Sequence, residues 1–191
     1  MRLETPRMTI RPWQANDLPA FAAINADPDV RRYYYPSRLT RAESDAVVES
    51  CMRHLAEHGF GFLALERKAD GALVGGAGLS WTDIVPGEPA VEIGWILARR
   101  FWREGYAREA SLAWLAHGWS LGLRDIVGYT SEINSPSRAL MAALGMRRDP
   151  ADDFRDPTVP PDNPLSPHVL YKIGNPGGGT AATCPPAGPP L

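Results

Sequence analysis

The sequence predicts an α+β fold, with one central sheet and helices on its faces. The first reason is the order of its periodic segments, β, α, α, β, β, β, α, β, α, β. The second is length: 191 residues suit one domain and can bury a core without disulfides or metal. The third is composition, 44% hydrophobic and 22% charged, which is ordinary for a globular protein.

Met8 to Trp13 alternates as a half-buried strand, with Met8, Ile10 and Pro12 on one face. Asp17 starts a helix to Asn25 that carries Leu18, Phe21, Ala22 and Ile24 at helical spacing; DPDVRRYY then reads as a short turn or helix. A second helix, Arg41 to Glu57, turns Val48, Cys51, Met52 and Leu55 inward. Gly59 to Lys68 is a strand apolar on both faces, and Asp70-Gly71 turns it into the returning strand Ala72 to Trp81. The spacing of Gly75, Gly76 and Gly78 fits no phosphate-loop fingerprint and no helix follows, so these glycines mark backbone passing close to a neighbour.

Ala90 to Leu97 is the fourth strand, and a helix follows to about Gly118 with Ala107, Ala110, Trp114 and Leu115 on one face. Arg124 to Asn134 is the fifth strand. Ser137 to Gly145 is a short helix, with Ser137 placed as N-cap and Gly145 as stop. MRRDP leads towards another strand, Pro150 to Ser166 is a loop long enough to carry function, and His168 to Ile173 is the last strand. A globular domain over 1–173 and a disordered Pro/Gly-rich tail over 174–191 are expected.

No segment reaches the apolar length of a bilayer span, and the start lacks the apolar stretch of a signal peptide, so a cytoplasmic protein without a membrane partner is expected. The formal charge of −2 gives no global field for nucleic acid. Cys51 and Cys184 suggest neither a metal site nor a structural disulfide, and His54 and His58, one turn apart, lack a third ligand.

The stretch Phe101 to Ala110, FWREGYAREA, puts Gly105 in what reads as the opening turn of a helix just after a strand. A helix start offers unpaired N–H groups and partial positive charge to an anion, and a glycine lets backbone approach phosphate oxygens. Arg99, Arg100, Arg103 and Arg108 add charge. Alone, this glycine is read equally well as a helix defect or a close helix–strand contact.

Trp102-Arg103-Glu104-Gly105-Tyr106-Ala107 resembles the acetyl-CoA signature Q/R-x-x-G-x-G/A of the GNAT superfamily of N-acetyltransferases. The W-x-x-G-Y-A form is similar to the branch containing ribosomal-protein alanine and serine N-terminal acetyltransferases. TPRMTIRPW, VEIGW and Asn134-Ser135-Pro136-Ser137 ahead of ALMAALGM extend the resemblance from Leu3 to Ile173, with Met146 where the branch has Phe. The resemblance implies a three-layer fold, a mixed and mostly antiparallel sheet, and a splay between the fourth and fifth strands. It also implies acetyl-CoA as co-substrate and no metal. The acceptor would be a small-molecule amine or a peptide N-terminus, and homodimers are common in the family, although no segment here marks an interface.

By the same resemblance, pantetheine would lie along Trp95, Ile96 and Leu97, while Trp102, Arg103, Glu104, Gly105, Tyr106, Ala107 and Arg108 would hold the diphosphate. Asn134 would fix the loop and contact the cofactor, and Ser137 would protonate the thiolate. A helix cap and a turn asparagine are the structural alternatives for these two. Glu92, on the face opposite Val91, Ile93 and Trp95, is the candidate base, with solvent exposure as the alternative. Asp152 or Asp153 could line the cleft, Glu109 supports the first helical turns, and His168 reads as a structural hydrogen-bonding residue. Tyr33, Tyr34 and Tyr35 border the acceptor region in the family, but ordinary packing also explains them.

A sequential enzyme is expected, since no Cys or Ser stands in a nucleophile setting. The alternative is an acyl-CoA sensor that would need neither Ser137 nor a cleft carboxylate. A dinucleotide enzyme would require a glycine fingerprint after the first strand, and IRPWQAND has none.

Overall fold

The computed structural model describes residues 1–178; Cys184 and positions 179–191 of the expected tail lie outside the described residues. Within them, nine strands and four α-helices follow in the order β1 (Leu3–Glu4), β2 (Met8–Arg11), α1 (Leu18–Ala26), α2 (Arg41–His58), β3 (Phe62–Arg67), β4 (Leu73–Thr82), β5 (Ala90–Leu97), α3 (Tyr106–Ser120), β6 (Asp125–Ser131), α4 (Ser135–Ala143), β7 (Arg147–Arg148), β8 (Phe154–Arg155) and β9 (Pro167–Gly174). The long elements stand in the predicted order. β1 and β8 are two-residue strands too short for any periodicity to reveal, and β1 makes the expected fourth and fifth strands β5 and β6.

The strands pair in the order β1-β2-β3-β4-β5-β6-β9-β7, with β8 also on β9. Pairing is antiparallel among β1, β2, β3 and β4 and between β9 and each of β6, β7 and β8. β5 and β6 run parallel, and among the described residues they are in register only at Glu92↔Val127. The sheet is therefore mixed, mostly antiparallel and open, with a one-pair ladder among the described residues where the splay is expected.

The chain forms two compact units, one of Met1–Ser80 with Gly94–Trp114 and one of Trp81–Ile93 with the chain from Leu115. In the first, Trp13, Phe21, Ile24, Val48, Cys51, Ala64, Leu73 and Ile96 share a core, and the Trp13 and Phe21 rings lie 4.4 Å apart. α2 starts at a capping box: Thr40 N–H donates to Glu43 Oε2 at 2.6 Å and Glu43 N–H to Thr40 Oγ1 at 3.2 Å. It ends at Gly59, whose φ is +76°.

Alternation predicts an outward Arg11, yet all of β2 is buried. Arg11 is accepted inside because Asp17 takes a two-pronged bond at 2.7 and 2.9 Å and Glu66 a third at 2.8 Å. That pairing also displaces the helix start. Asp17 closes a 3-10 turn, Ala15–Asp17, accepts Gln14 N–H at 2.8 Å, and α1 begins one residue later than expected.

The β4 glycines do mark close backbone approaches. A Cβ on Gly75 would strike the Ile96 carbonyl, one on Gly76 the Phe62 ring, and one on Gly78 the Gly61 carbonyl. In the second unit, Val85, Val127 and Leu170 pack with Ala90, Tyr129 and Phe154. β9 includes Gly174, and Asn175 N–H donates to Arg124 O at 2.6 Å, so the ordered chain passes the boundary expected at 173.

Gly78→Ala is expected to lower stability by about 1–3 kcal/mol, because the colliding atom is backbone that cannot rotate away. Urea unfolding measures it, and a loss below about 0.5 kcal/mol, the range of neutral substitutions, would contradict the close approach.

Candidate active site

β5 ends at Leu97, a 3-10 turn spans Arg99–Phe101, and α3 begins at Tyr106. Gly105 therefore precedes the helix instead of lying in its opening turn, and no helix-propensity penalty attaches to it. Its φ is +81°, and Arg103 two residues earlier is at +62°. A Cβ at Gly105 would meet nothing nearer than Arg7 Nη2 at 3.5 Å, so left-handed backbone, before any need for space, demands the glycine.

The first bond of α3 runs from Glu109 N–H to Gly105 O at 3.0 Å. The N–H groups of Tyr106, Ala107 and Arg108 stand ahead of it without intrahelical partners, at the positive end of the helix dipole. Residues 102–105 and Arg108 are exposed, and Tyr106 is buried.

Several side chains hold this corner. Trp102 Nε1 donates to Leu97 O at 2.9 Å, and Phe101 and Tyr106 meet edge to face at 5.9 Å. Glu109 accepts Thr5 Oγ1 at 2.6 Å, Arg7 N–H at 2.9 Å and Arg7 Nε at 2.6 Å, while Arg7 Nη1 donates to Glu104 O at 2.8 Å. Burial acts to raise the Glu109 carboxyl, but the bonds from Thr5 and Arg7 outweigh it and hold the group below the ordinary carboxylate range. Arg99, counted among the anion-attracting charges, is instead paired with Asp29 at 2.5 Å and Asp27 at 3.8 Å. Arg100 lies over the Phe101 ring. Arg103 and Arg108 make no ion pair among the described residues.

Along β5, Ile96 and Leu97 are buried and Trp95 is half-buried. Trp95 O accepts from Tyr34 Oη at 3.2 Å, so with Trp102 on Leu97 O the backbone is already engaged at two of the three positions expected along pantetheine. Arg31 lies 4.8 Å from the Tyr34 ring centroid.

In the second unit, Asn134 is the N-cap of α4, which starts at Ser135 with Pro136 in its first turn; Ser137 is not the cap. Asn134 Oδ1 accepts Ser137 N–H at 3.3 Å, which turns Nδ2 towards Thr130 Oγ1 at 2.8 Å and Ser137 Oγ at 3.1 Å. A backbone N–H can only donate, so this fixes the amide's orientation and makes Ser137 Oγ an acceptor from Asn134. The hydroxyl proton of Ser137 is left to point elsewhere.

Glu92 is half-buried, and its carboxylate acts on the Tyr129 hydroxyl. Burial first, then that carboxylate, push the Tyr129 phenol far above its ordinary value, and Thr82 Oγ1 lies 3.4 Å from it. The two loop carboxylates are engaged: Asp153 pairs with Arg148 and accepts Leu170 N–H at 3.3 Å, and Asp152 meets Lys172 Nζ at 2.8 Å. His168 is buried, with Nδ1 3.1 Å from Ser166 O and Nε2 3.5 Å from Asp156. Sequence reasoning missed Thr5, Arg7, Thr82 and Tyr129 at these places, because their partners lie 47 to 104 positions away and no local pattern records such a pairing.

Residues 7–147 match the acetyltransferase (GNAT) domain family. The chain belongs to this family of acetyltransferases. The N-acetyltransferase YnaD of Bacillus subtilis is 29% identical over 91% of this chain and 96% of its own. An acetyltransferase of Agrobacterium tumefaciens, 25% identical, superposes with a TM-score of 0.73 over 91% of this chain and 94% of its own. The ribosomal-protein-S5-alanine acetyltransferase of Vibrio fischeri, 16% identical, shares the fold, with a TM-score of 0.72 over 94% of this chain and all of its own.

GNAT acetyltransferases use acetyl-CoA and act on amine acceptors. The matched span takes in Arg7, Glu92, the Gly105 corner, Asn134 and Ser137, and stops before the Asp156–His168 pair. Among the described residues no group of three or more His, Cys, Asp or Glu could hold a metal ion, and no helix is long and apolar enough to cross a membrane.

Asn134→Ala is expected to destabilise the protein by about 1 kcal/mol through loss of the cap, and Ser137→Ala by less. Chemical denaturation compares them, and an equal or larger loss for Ser137→Ala would return the cap to the serine. Because the folded-state pKa of Glu109 is depressed, its contribution to stability is present above the unfolded value of about 4.3 and lost as pH falls through the folded value. The stability difference between wild type and Glu109→Gln should therefore shrink on acidification below that point, and a difference independent of pH would count against the charge.

Proposed function

We propose that this acetyltransferase moves an acetyl group from acetyl-CoA directly to a primary amine. The observation that carries the reading is the corner at Gly105: exposed left-handed backbone ahead of three unpaired amide N–H groups, in the span that matches the family. Such a corner suits a diphosphate. Trp102 to Arg108 would hold it, with Arg103 and Arg108 supplying free charge, and the pantetheine arm would run along Trp95, Ile96 and Leu97.

In the transfer, the amine nitrogen attacks the thioester carbonyl, the C–N bond forms and the C–S bond breaks. Glu92 takes the amine proton. Ser137 gives a proton to the departing thiolate and regains one from solvent. The Asn134 bond supports this donor role, because it occupies an acceptor position of the Ser137 oxygen and leaves the hydroxyl proton to be given to another group. Products are CoA thiol and an acetamide. Cys51 is unsuited to carry the acetyl group itself, since burial pushes its thiol up to about 12.

The acceptor class is a peptide N-terminus or a small-molecule amine. An α-amino group, with pKa near 8, needs only a weak base, whereas an alkylamine near 10.4 needs more help.

Thiol release from acetyl-CoA should depend on added amine, and Glu92→Gln should lower kcat by about 10²-fold or more with little change in the KM for acetyl-CoA. CoA binding without release for any amine in a broad panel would remove the catalytic reading. Release that leaves Glu92→Gln unaffected would remove only the base.

A further inference from the structure

Resting on the reading in which the Gly105 corner receives the diphosphate, we propose that Arg7 is the positioning residue that sets this corner. Arg7 lies 97 positions from Glu104 and 102 from Glu109, yet one guanidinium spans both. Nη1 donates to Glu104 O at 2.8 Å, before the glycine, and Nε meets Glu109 Oε2 at 2.6 Å, one turn into α3. Its carbon lies 4.3 Å from the Tyr106 ring centroid, and Nη2 is 3.5 Å from where a Gly105 Cβ would stand. A single planar group thus touches both ends and the middle of the segment 104–109.

The root of the strut is fixed as well. Arg7 N–H donates to Glu109 Oε1 at 2.9 Å, and Arg7 O accepts Lys68 N–H at 3.0 Å. Arg7 also has an electrostatic role. The Glu109 carboxylate stands in the first turn of α3, where its charge would oppose an incoming anion, and the guanidinium neutralises it in place. Lysine cannot reproduce this, because an ammonium on a flexible stem does not hold a carbonyl and a carboxylate in one plane.

The competing account is an ordinary surface ion pair, since the Arg7 side chain is 43% exposed, and such pairs contribute little. Hydrogen exchange on the ligand-free protein separates the two. In Arg7→Met, the amides of Glu109 to Ser111, where α3 hydrogen bonding begins, should exchange about tenfold faster while those of β4 keep their rates. Unchanged exchange at Glu109 overturns the proposal.

Titration with CoA and with pantetheine, which lacks the phosphates, gives the second arm. Arg7→Met should weaken CoA binding by about tenfold or more and leave pantetheine binding unchanged, with Arg7→Lys in between. Equal weakening of both ligands, or a CoA affinity within about twofold of wild type, overturns it. If Arg7→Met does not fold, Glu109→Gln, which keeps an acceptor for Thr5, carries both arms with the same expected pattern. Failure of the wild type to bind CoA would fall on the diphosphate reading, and the exchange arm would still decide whether Arg7 sets the corner.

Discussion

The Glu109 carboxylate joins the approach to β2 to the first turn of α3, and the corner between β5 and α3 depends on that join. Its two oxygens take a hydroxyl, a backbone N–H and a guanidinium from Thr5 and Arg7. Left-handed backbone at Arg103 and Gly105 disfavours ordinary side chains, and such conformations persist only where surrounding contacts over-determine them. The Arg7 bond to Glu104, the Trp102 bond to Leu97 and the Phe101–Tyr106 contact supply that determination from three directions.

The arrangement also reconciles two demands on one place. A helix start with unpaired N–H groups attracts anions, and acidic residues in the first turn are the usual internal answer. Glu109 gives that answer but faces away into Thr5 and Arg7, so the helix gains a stabilising carboxylate while its first N–H groups stay available. Arg99, the nearest of the four arginines to β5, is taken up by Asp27 and Asp29 and fixes chain, whereas Arg103 and Arg108 make no ion pair among the described residues.

Much of the fold was legible because it rests on periodicity. α2, β4 and β5 fall within a residue or two of their expected limits, since their apolar spacing and the turn residues between them are local signals. Legibility failed where long-range pairing overrode local pattern. Arg11 reads as an outward strand residue but is buried by Asp17 and Glu66, and Asp17, drawn into that pair, gives up the helix start that its position in the sequence marks. In the corner, the motif pointed to Gly105, yet the reason for the glycine is a backbone angle that no spacing reveals. Arg7 stands inside the TPRMTIRPW stretch, but nothing local ties it to a turn a hundred residues on.

The clearest revision concerns Ser137, and it bears on the chemistry. While Ser137 is taken for the cap of α4, the proposed donor role gives its hydroxyl two tasks, since a cap oxygen must accept from the helix and a proton donor must face away from it. Asn134 removes that conflict. Its carbonyl caps the helix, and its NH₂ donates to both Thr130 and Ser137, so the serine oxygen is held from behind by a donor. A hydroxyl that accepts a hydrogen bond cannot direct its own proton back along the same line. The cap that relieves Ser137 of a structural duty thus also fixes one partner of its oxygen, and an asparagine three residues before a serine, ordinary as a turn motif, decides which hydrogen bond that oxygen accepts.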